Sequence, residues 1–178
     1  MDERTVHRAY LSLGSNLEPE KNLPAAIDAL AEFGRVATVS QVWESPPVDH
    51  SDQPNYLNCA VLFETQIEAK DFYSEVIGVI EQQLNRVRDP NNKNAARTID
   101  IDVSLFNDNI LTIGQHQIPD PEILVRPFVM IPLAEVDPDY VHPKNSRTLK
   151  EIVEGFDLTD SRMRLRSDIV LWPQRSEE

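Results

Sequence analysis

Ile99-Asp100-Ile101-Asp102-Val103-Ser104-Leu105 alternates apolar and polar side chains as a half-buried β-strand does, yet two of its polar positions are aspartates. Aspartate is depleted in strands, so its presence here asks for a reason. With about 3.3 Å of rise per residue, Asp100 and Asp102 leave the same face roughly 6.6 Å apart at Cα, while Ile99, Ile101 and Val103 point the other way, into a core. Two carboxylates held that close raise each other's pKa unless a cation lies between them. Hard oxygen ligands of this kind suit Mg²⁺, which typically recruits one or two carboxylates together with substrate phosphates. Taken alone, an Asp-x-Asp pair also describes a strand with two solvated acids.

The residues just before the strand tip the balance. Arg86, Arg88, Lys93 and Arg97 precede it with only Asp89 between them, a net of +3 over residues 86–97 on a chain whose net charge is −13. A cationic island on so acidic a protein points to a polyanionic ligand, and beside the aspartate pair it reads as a metal-assisted phosphate site.

Working outward, Tyr10-Leu-Ser-Leu13 alternates and ends in the turn cluster Gly14-Ser15-Asn16, the mark of a strand end. A helix is expected from about Glu18 to Glu32, with Pro19 in its first turn and Leu23, Ala26, Ile27 and Leu30 on one face. Pro24 argues for a kinked start, and Gly34 for the stop. Arg35 to Trp43 reads as a second strand, and Glu44 to Asn55, with Pro46, Pro47 and Pro54, as a long functional loop. Asn58 to Glu64 is a third strand, with Cys59, Val61 and Phe63 on one side and Ala60 and Leu62 on the other. The next helix runs from Ala69 to about Asn85, with Phe72, Val76, Val79, Ile80 and Leu84 as one buried stripe. The Asp-x-Asp strand is the fourth. The order βαββαβ predicts an α+β fold with a ferredoxin-like core, two helices against one antiparallel sheet. C-terminal additions complete the chain: a short apolar piece at Ile110 to Ile113, the rigid link Ile118-Pro-Asp-Pro121, short helices at Pro127 to Val136 and Leu149 to Gly155, and a candidate strand between Arg162 and Trp172.

The chain's 178 residues suit a single domain spanning 1–178. No apolar run approaches the ~20 residues that span a bilayer, and the start Met-Asp-Glu-Arg-Thr is unlike a signal peptide, so a cytoplasmic protein without membrane partners is expected. Cys59 stands alone in an apolar strand, which excludes an internal disulfide and favours a buried thiol. The histidines at 7, 50, 116 and 142 lack metal-ligand spacing. A pI near 4.7 argues against nucleic-acid binding. A monomer is expected.

Across roughly Tyr10 to Pro143 the chain resembles one family, the 6-hydroxymethyl-7,8-dihydropterin pyrophosphokinases. The match runs through Leu13-Gly-Ser-Asn16, Ser45-Pro-Pro47, Asp52-Gln-Pro-Asn-Tyr-Leu-Asn58, Arg86-Val-Arg88, Lys93-Asn-Ala-Ala-Arg97-Thr-Ile-Asp-Ile-Asp102 and Arg126-Pro-Phe128. The resemblance implies transfer of the β,γ-diphosphate of the co-substrate ATP to a pterin alcohol in folate biosynthesis, with AMP as the second product. It implies two Mg²⁺ ions on Asp100 and Asp102, and Arg86 and Arg97 on the transferred group. Arg88 and Lys93 would sit on a mobile loop over the nucleotide, with Arg126 and Glu81 also on the nucleotide side. It implies that Asn58 reads the pterin edge, that Tyr56 and Phe128 flank its faces, and that the backbone of Ser45, Pro46, Pro47 and Val48 lines the pocket. The chain departs from the family's pattern at Asp120, where a histidine is usual, at Gly78, where some members have glutamine, at Ala96, often proline, and in a basic loop without tryptophan. Two other readings use the same residues: a non-catalytic pterin- or nucleotide-binding relative of the same fold, and a different two-metal transferase or nuclease.

Overall fold

The computed structural model describes residues 5–159 and 161–172. Strand β1 (His7–Ser15) leads into helix α1 (Pro19–Leu30), then come β2 (Arg35–Val39), β3 (Trp43–Ser45) and β4 (Tyr56–Thr65). A helical segment comes next in three pieces: α2 (Ala69–Phe72), a π-helical turn (Tyr73–Ile77) and α3 (Gly78–Gln83). Strand β5 (Asp100–Phe106), the hairpin β6 (Leu111–Ile113) and β7 (His116–Ile118), a 3₁₀ turn (Pro121–Leu124), α4 (Pro127–Val136), α5 (Leu149–Glu154) and β8 (Arg164–Leu165) complete the order.

The main sheet runs β5-β1-β4-β3-β8, with β2 also on β4, and every pairing in it is antiparallel. With α1 linking β1 to β2 and the α2–α3 segment linking β4 to β5, this is the ferredoxin-like βαββαβ arrangement expected from the sequence. The alternation of β4 divides two cores as read: Cys59, Val61 and Phe63 pack with α1 and the α2–α3 segment, while Ala60 and Leu62 pack with α4 and α5. Ile99, Ile101 and Val103 join the first core. Leu105 joins the second, because a β-bulge between β1 and β5 shifts the register from Leu11↔Val103 to Tyr10↔Leu105. Burial pushes the Cys59 thiol up to about 12, which makes it an inert packing residue.

Five local readings are corrected. The second strand is two pieces: at Ser40 the chain leaves the ladder, with the Ser40 backbone N–H donating to Ala60 O at 2.9 Å and the Ser40 hydroxyl accepting from Ala60 N at 2.8 Å. Glu44 and Ser45 belong to β3 and not to the loop. Helix α1 runs unbroken through Pro24, and Gly34 is needed for close approach and not as a cap, because a Cβ there would collide with Glu64 O and lie 2.7 Å from the Phe63 ring. The second helix carries a π turn, closed by the Gly78 N–H on Tyr73 O. One extra residue in a turn rotates all later positions of the helix by about 100°. Ile77 is thereby buried beside Val76, Val79 is only half-buried, and Glu81 turns inward.

Candidate active site

The second face of the sheet is apolar under α4 and polar at one end, where β1 finishes and its antiparallel neighbours β4 and β5 begin. There Ser12 and Gly14 of β1, Tyr56 and Asn58 of β4, and Asp100 and Asp102 of β5 line a cleft of about 310 Å³. Its other walls are Ser45 to Asp49, Lys93, Asn94 and Arg97, and Asp120, Glu122, Arg126, Phe128 and Val129. A second hollow of about 260 Å³, lined by Tyr73, Val103, residues 115–117 and Pro121, shares Asp102, Asp120 and Glu122 with the first. The two therefore meet at Asp102.

The two aspartates sit in opposite electrostatic settings. Asp100 is gripped by both arginines: Arg86 Nη1 reaches its Oδ1, and Arg97 Nη1 donates to its Oδ2 at 2.7 Å. Burial opposes its ionisation, but the two guanidinium groups prevail and hold it below the usual carboxylate range. Asp102 accepts no side-chain hydrogen bond among the described residues. Burial first, and then repulsion from Asp100, Asp120 and Glu81, pushes its carboxyl up to about 7.

Arg86 is itself held from below. The same Nη1 donates to Ile99 O at 2.7 Å and to Glu81 Oε1 at 3.2 Å, and the side chain is 7% exposed. Glu81 also accepts from Arg88 at 2.7 Å. Glu81 is thus no solvated helix residue; it is the buried base of an ion-pair stack under Asp100, and neither it, Arg86 nor Arg88 lines the two hollows.

The loops around the cleft are tied by two amides to which the sequence pattern assigns no role of their own. Asn16 Oδ1 accepts from the Arg97 N–H at 2.8 Å, and Asn16 Nδ2 donates to Gln53 Oε1 at 3.1 Å and Pro54 O at 3.2 Å. Gln53 Nε2 in turn donates to Asn94 O at 2.6 Å. Both lie in stretches that carry the family resemblance, Leu13 to Asn16 and Asp52 to Asn58, but local pattern fixes a bend there and not its partners. On the opposite wall, Asn58 donates from Nδ2 to Ser45 Oγ at 2.8 Å and Trp43 O at 3.1 Å, so its Oδ1 is the atom left for a ligand. A Cβ on Gly14 would stand 3.4 Å from that oxygen.

The profile of the 7,8-dihydro-6-hydroxymethylpterin-pyrophosphokinase family matches residues 10–138. This chain belongs to that family. Among its pyrophosphokinase relatives, the chain is 33% identical to the Pseudomonas aeruginosa protein over 83% of its own length and 91% of the relative's. It is 34% identical to that of Haemophilus influenzae over 83% and 92%. Among solved structures, a Plasmodium falciparum HPPK-DHPS protein superposes with a TM-score of 0.68 at 14% identity, covering 86% of this chain and 46% of that one, which supports the shared fold. Two of the four departures from the family's pattern acquire local explanations. Asp120 caps the 3₁₀ turn, its carboxylate accepting from Glu122 N at 2.9 Å. Gly78 closes the π turn, where a Cβ would meet Tyr73 O at 3.2 Å.

Proposed function

We propose that the two joined hollows are the two substrate sites of a pyrophosphokinase, meeting where the diphosphate is transferred. The enzyme moves the diphosphate of ATP to 6-hydroxymethyl-7,8-dihydropterin, the reaction of its family in folate biosynthesis. The pterin lies between Tyr56 and Phe128, against the backbone of Ser45, Pro46, Pro47 and Val48, with Asn58 Oδ1 accepting from its edge. ATP lies toward Lys93, Arg126 and the second hollow, with Arg88 at the loop and Glu81 beneath. The pterin hydroxyl oxygen forms a bond to the β-phosphorus and releases its proton to solvent, the bond from that phosphorus to the oxygen it shares with the α-phosphate breaks, and AMP leaves with that oxygen and its electron pair. Arg97, at the cleft wall, and Arg86, rigidly set behind Asp100, balance charge that spreads onto the transferred phosphates. Positioning and fixed charge of this kind are the main needs of phosphoryl transfer.

The observation that carries this reading is that both hollows share Asp102, a half-buried carboxylate with no hydrogen-bond donor among the described residues. Such a group fits a divalent cation, and among the described residues no cluster of three or more His, Cys, Asp or Glu side chains could hold one unaided. Asp100 and Asp102 would hold Mg²⁺, two ions in the family-derived expectation, with substrate oxygens completing the shell. When bound, the metal neutralises phosphate charge and orients the triphosphate. We place the enzyme in the cytoplasm, a reading supported by its lone buried thiol, and take it as a monomer; no described helix is long and apolar enough to cross a membrane.

Purified protein, ATP, Mg²⁺ and the dihydropterin alcohol, with AMP and pterin diphosphate followed by chromatography, test the proposal. AMP formation that requires both metal and pterin supports it. Pterin binding without AMP would replace it with the non-catalytic reading.

A further inference from the structure

The pterin wall has a weakness built into its sequence. Pro46 and Pro47 lack N–H groups, so no ladder can hold that stretch, and its position is inherited from the three-residue strand β3 just before it. On its inner edge β3 pairs with β4. Its outer edge is covered by β8, which pairs Trp43 with Leu165 and Glu44 with Arg164. The next residue, Arg166, adds a backbone bond to Val42 O at 2.9 Å.

One carboxylate gathers these elements. Glu44 Oε2 accepts from Arg166 Nη1 at 2.8 Å, and Arg164 approaches the same carboxylate at 3.4 Å. Glu44 Oε1 also accepts at 3.3 Å from Asn55, at the far end of the loop that Pro46 and Pro47 begin. Arg166 continues to Glu20 of α1 at 3.2 Å and is braced by Asp168, through Nε at 2.9 Å and Nη2 at 2.8 Å. Beyond it Ile169, Leu171 and Trp172 pack against the first core. Residues 164–172 therefore strap the sheet edge to the α1 layer, and they lie outside residues 10–138, the part matched by the family profile.

We propose that Arg166 is a positioning residue for the pterin substrate: through Glu44 and Asn55 it fixes both ends of the loop whose start forms the pterin wall. The inference rests on the placement of the pterin given above. It makes the C-terminal strap part of the substrate site although it touches no substrate.

The test uses the full chain and its Arg166→Ala and Arg166→Lys variants, with steady-state kinetics in each substrate and direct pterin titration by fluorescence. In Arg166→Ala the KM for the dihydropterin should rise about tenfold while kcat and the KM for ATP stay within about twofold, the signature of lost ground-state binding. Arg166→Lys should recover part of the loss, since lysine keeps the charge but not the fork. Adding Glu44→Gln to Arg166→Ala should raise the KM little further, because both act through one contact. If Arg166→Ala does not fold, Glu44→Gln alone carries the comparison with the same expected rise. A folded variant with unchanged pterin KM, or with equal rises for both substrates, overturns the role of the strap. A wild-type chain that does not bind the pterin would instead overturn the placement on which the role rests.

Discussion

The backbone N–H of Arg97 donates to the side-chain Oδ1 of Asn16 at 2.8 Å, joining the basic loop to the first turn of the chain across 81 residues. The bond is returned twice, by the N–H groups of Asn16 and Leu17 to Arg97 O at 3.2 Å each. The guanidinium of Arg97 therefore meets Asp100 from a backbone that has no freedom to slide.

Asn16→Ala removes the acceptor for that N–H and both amide bonds to residues 53 and 54. Leaving such partners unsatisfied costs about 2–3 kcal/mol, and kcat should fall together with stability. Urea unfolding and steady-state kinetics check both. Asn16→Asp, which keeps the acceptor, should retain more activity than the alanine variant.

Asp100 and Asp102 should part company on substitution, although their spacing makes them look equivalent. Either change abolishes transfer. Asp100→Asn leaves two buried arginines short of a partner and should destabilise by about 1–3 kcal/mol, softened because Glu81 still faces Arg86. Asp102→Asn removes a repelled carboxylate and should raise the melting temperature at pH 8. A fall there would mean that Asp102 has a partner that the geometry does not contain.

Mg²⁺ alone should move the melting temperature little, because among the described residues no third acidic, histidine or cysteine side chain joins the pair to hold it. Mg²⁺ with a non-hydrolysable ATP analogue should raise it well beyond the analogue alone, by mass action on the folded state. Thermal melts in EDTA and in Mg²⁺ decide this.

Gly34→Ala should cost about 2–4 kcal/mol through overpacking against β4, with no effect on KM in whatever fraction folds. Chemical denaturation monitored by the two tryptophans is the measurement.

His142 is buried and its Nδ1 accepts from Lys144 N at 3.3 Å, so the neutral ring is the one that fits. Burial, then Lys144, holds its pKa below 6.5. The unfolded chain therefore binds the proton more readily: the stabilisation is whole above pH 6.5 and diminishes as pH falls below it. Relative to His142→Asn, the wild-type unfolding free energy should drop between pH 7 and 5.5; parallel curves would rule the histidine out as the source.

Much of this was legible in the chain. The period-two pattern of residues 58–64 named both cores because the strand is buried on both sides, and the cations ahead of Asp100 and Asp102 named a phosphate site because charge that dense on an acidic protein has few other uses. The inward turn of Glu81 was silent for a physical reason: it depends on a π turn, closed by the Gly78 N–H on Tyr73 O, that no propensity encodes. The grip of Glu44 by Arg166 was equally silent, since two charges 122 residues apart carry no local signature.

The bulge beside Ser104 has a consequence for tolerance to change. A one-residue slip in a regular strand turns every later side chain to the opposite face. Here the offset between Leu11↔Val103 and Tyr10↔Leu105 separates the aspartates from the strand's exit toward the β6–β7 hairpin. A change of length after Phe106 therefore leaves the pairing of Asp100 and Asp102 with β1 untouched, and its effect falls on the wall that residues 115–117 give the second hollow.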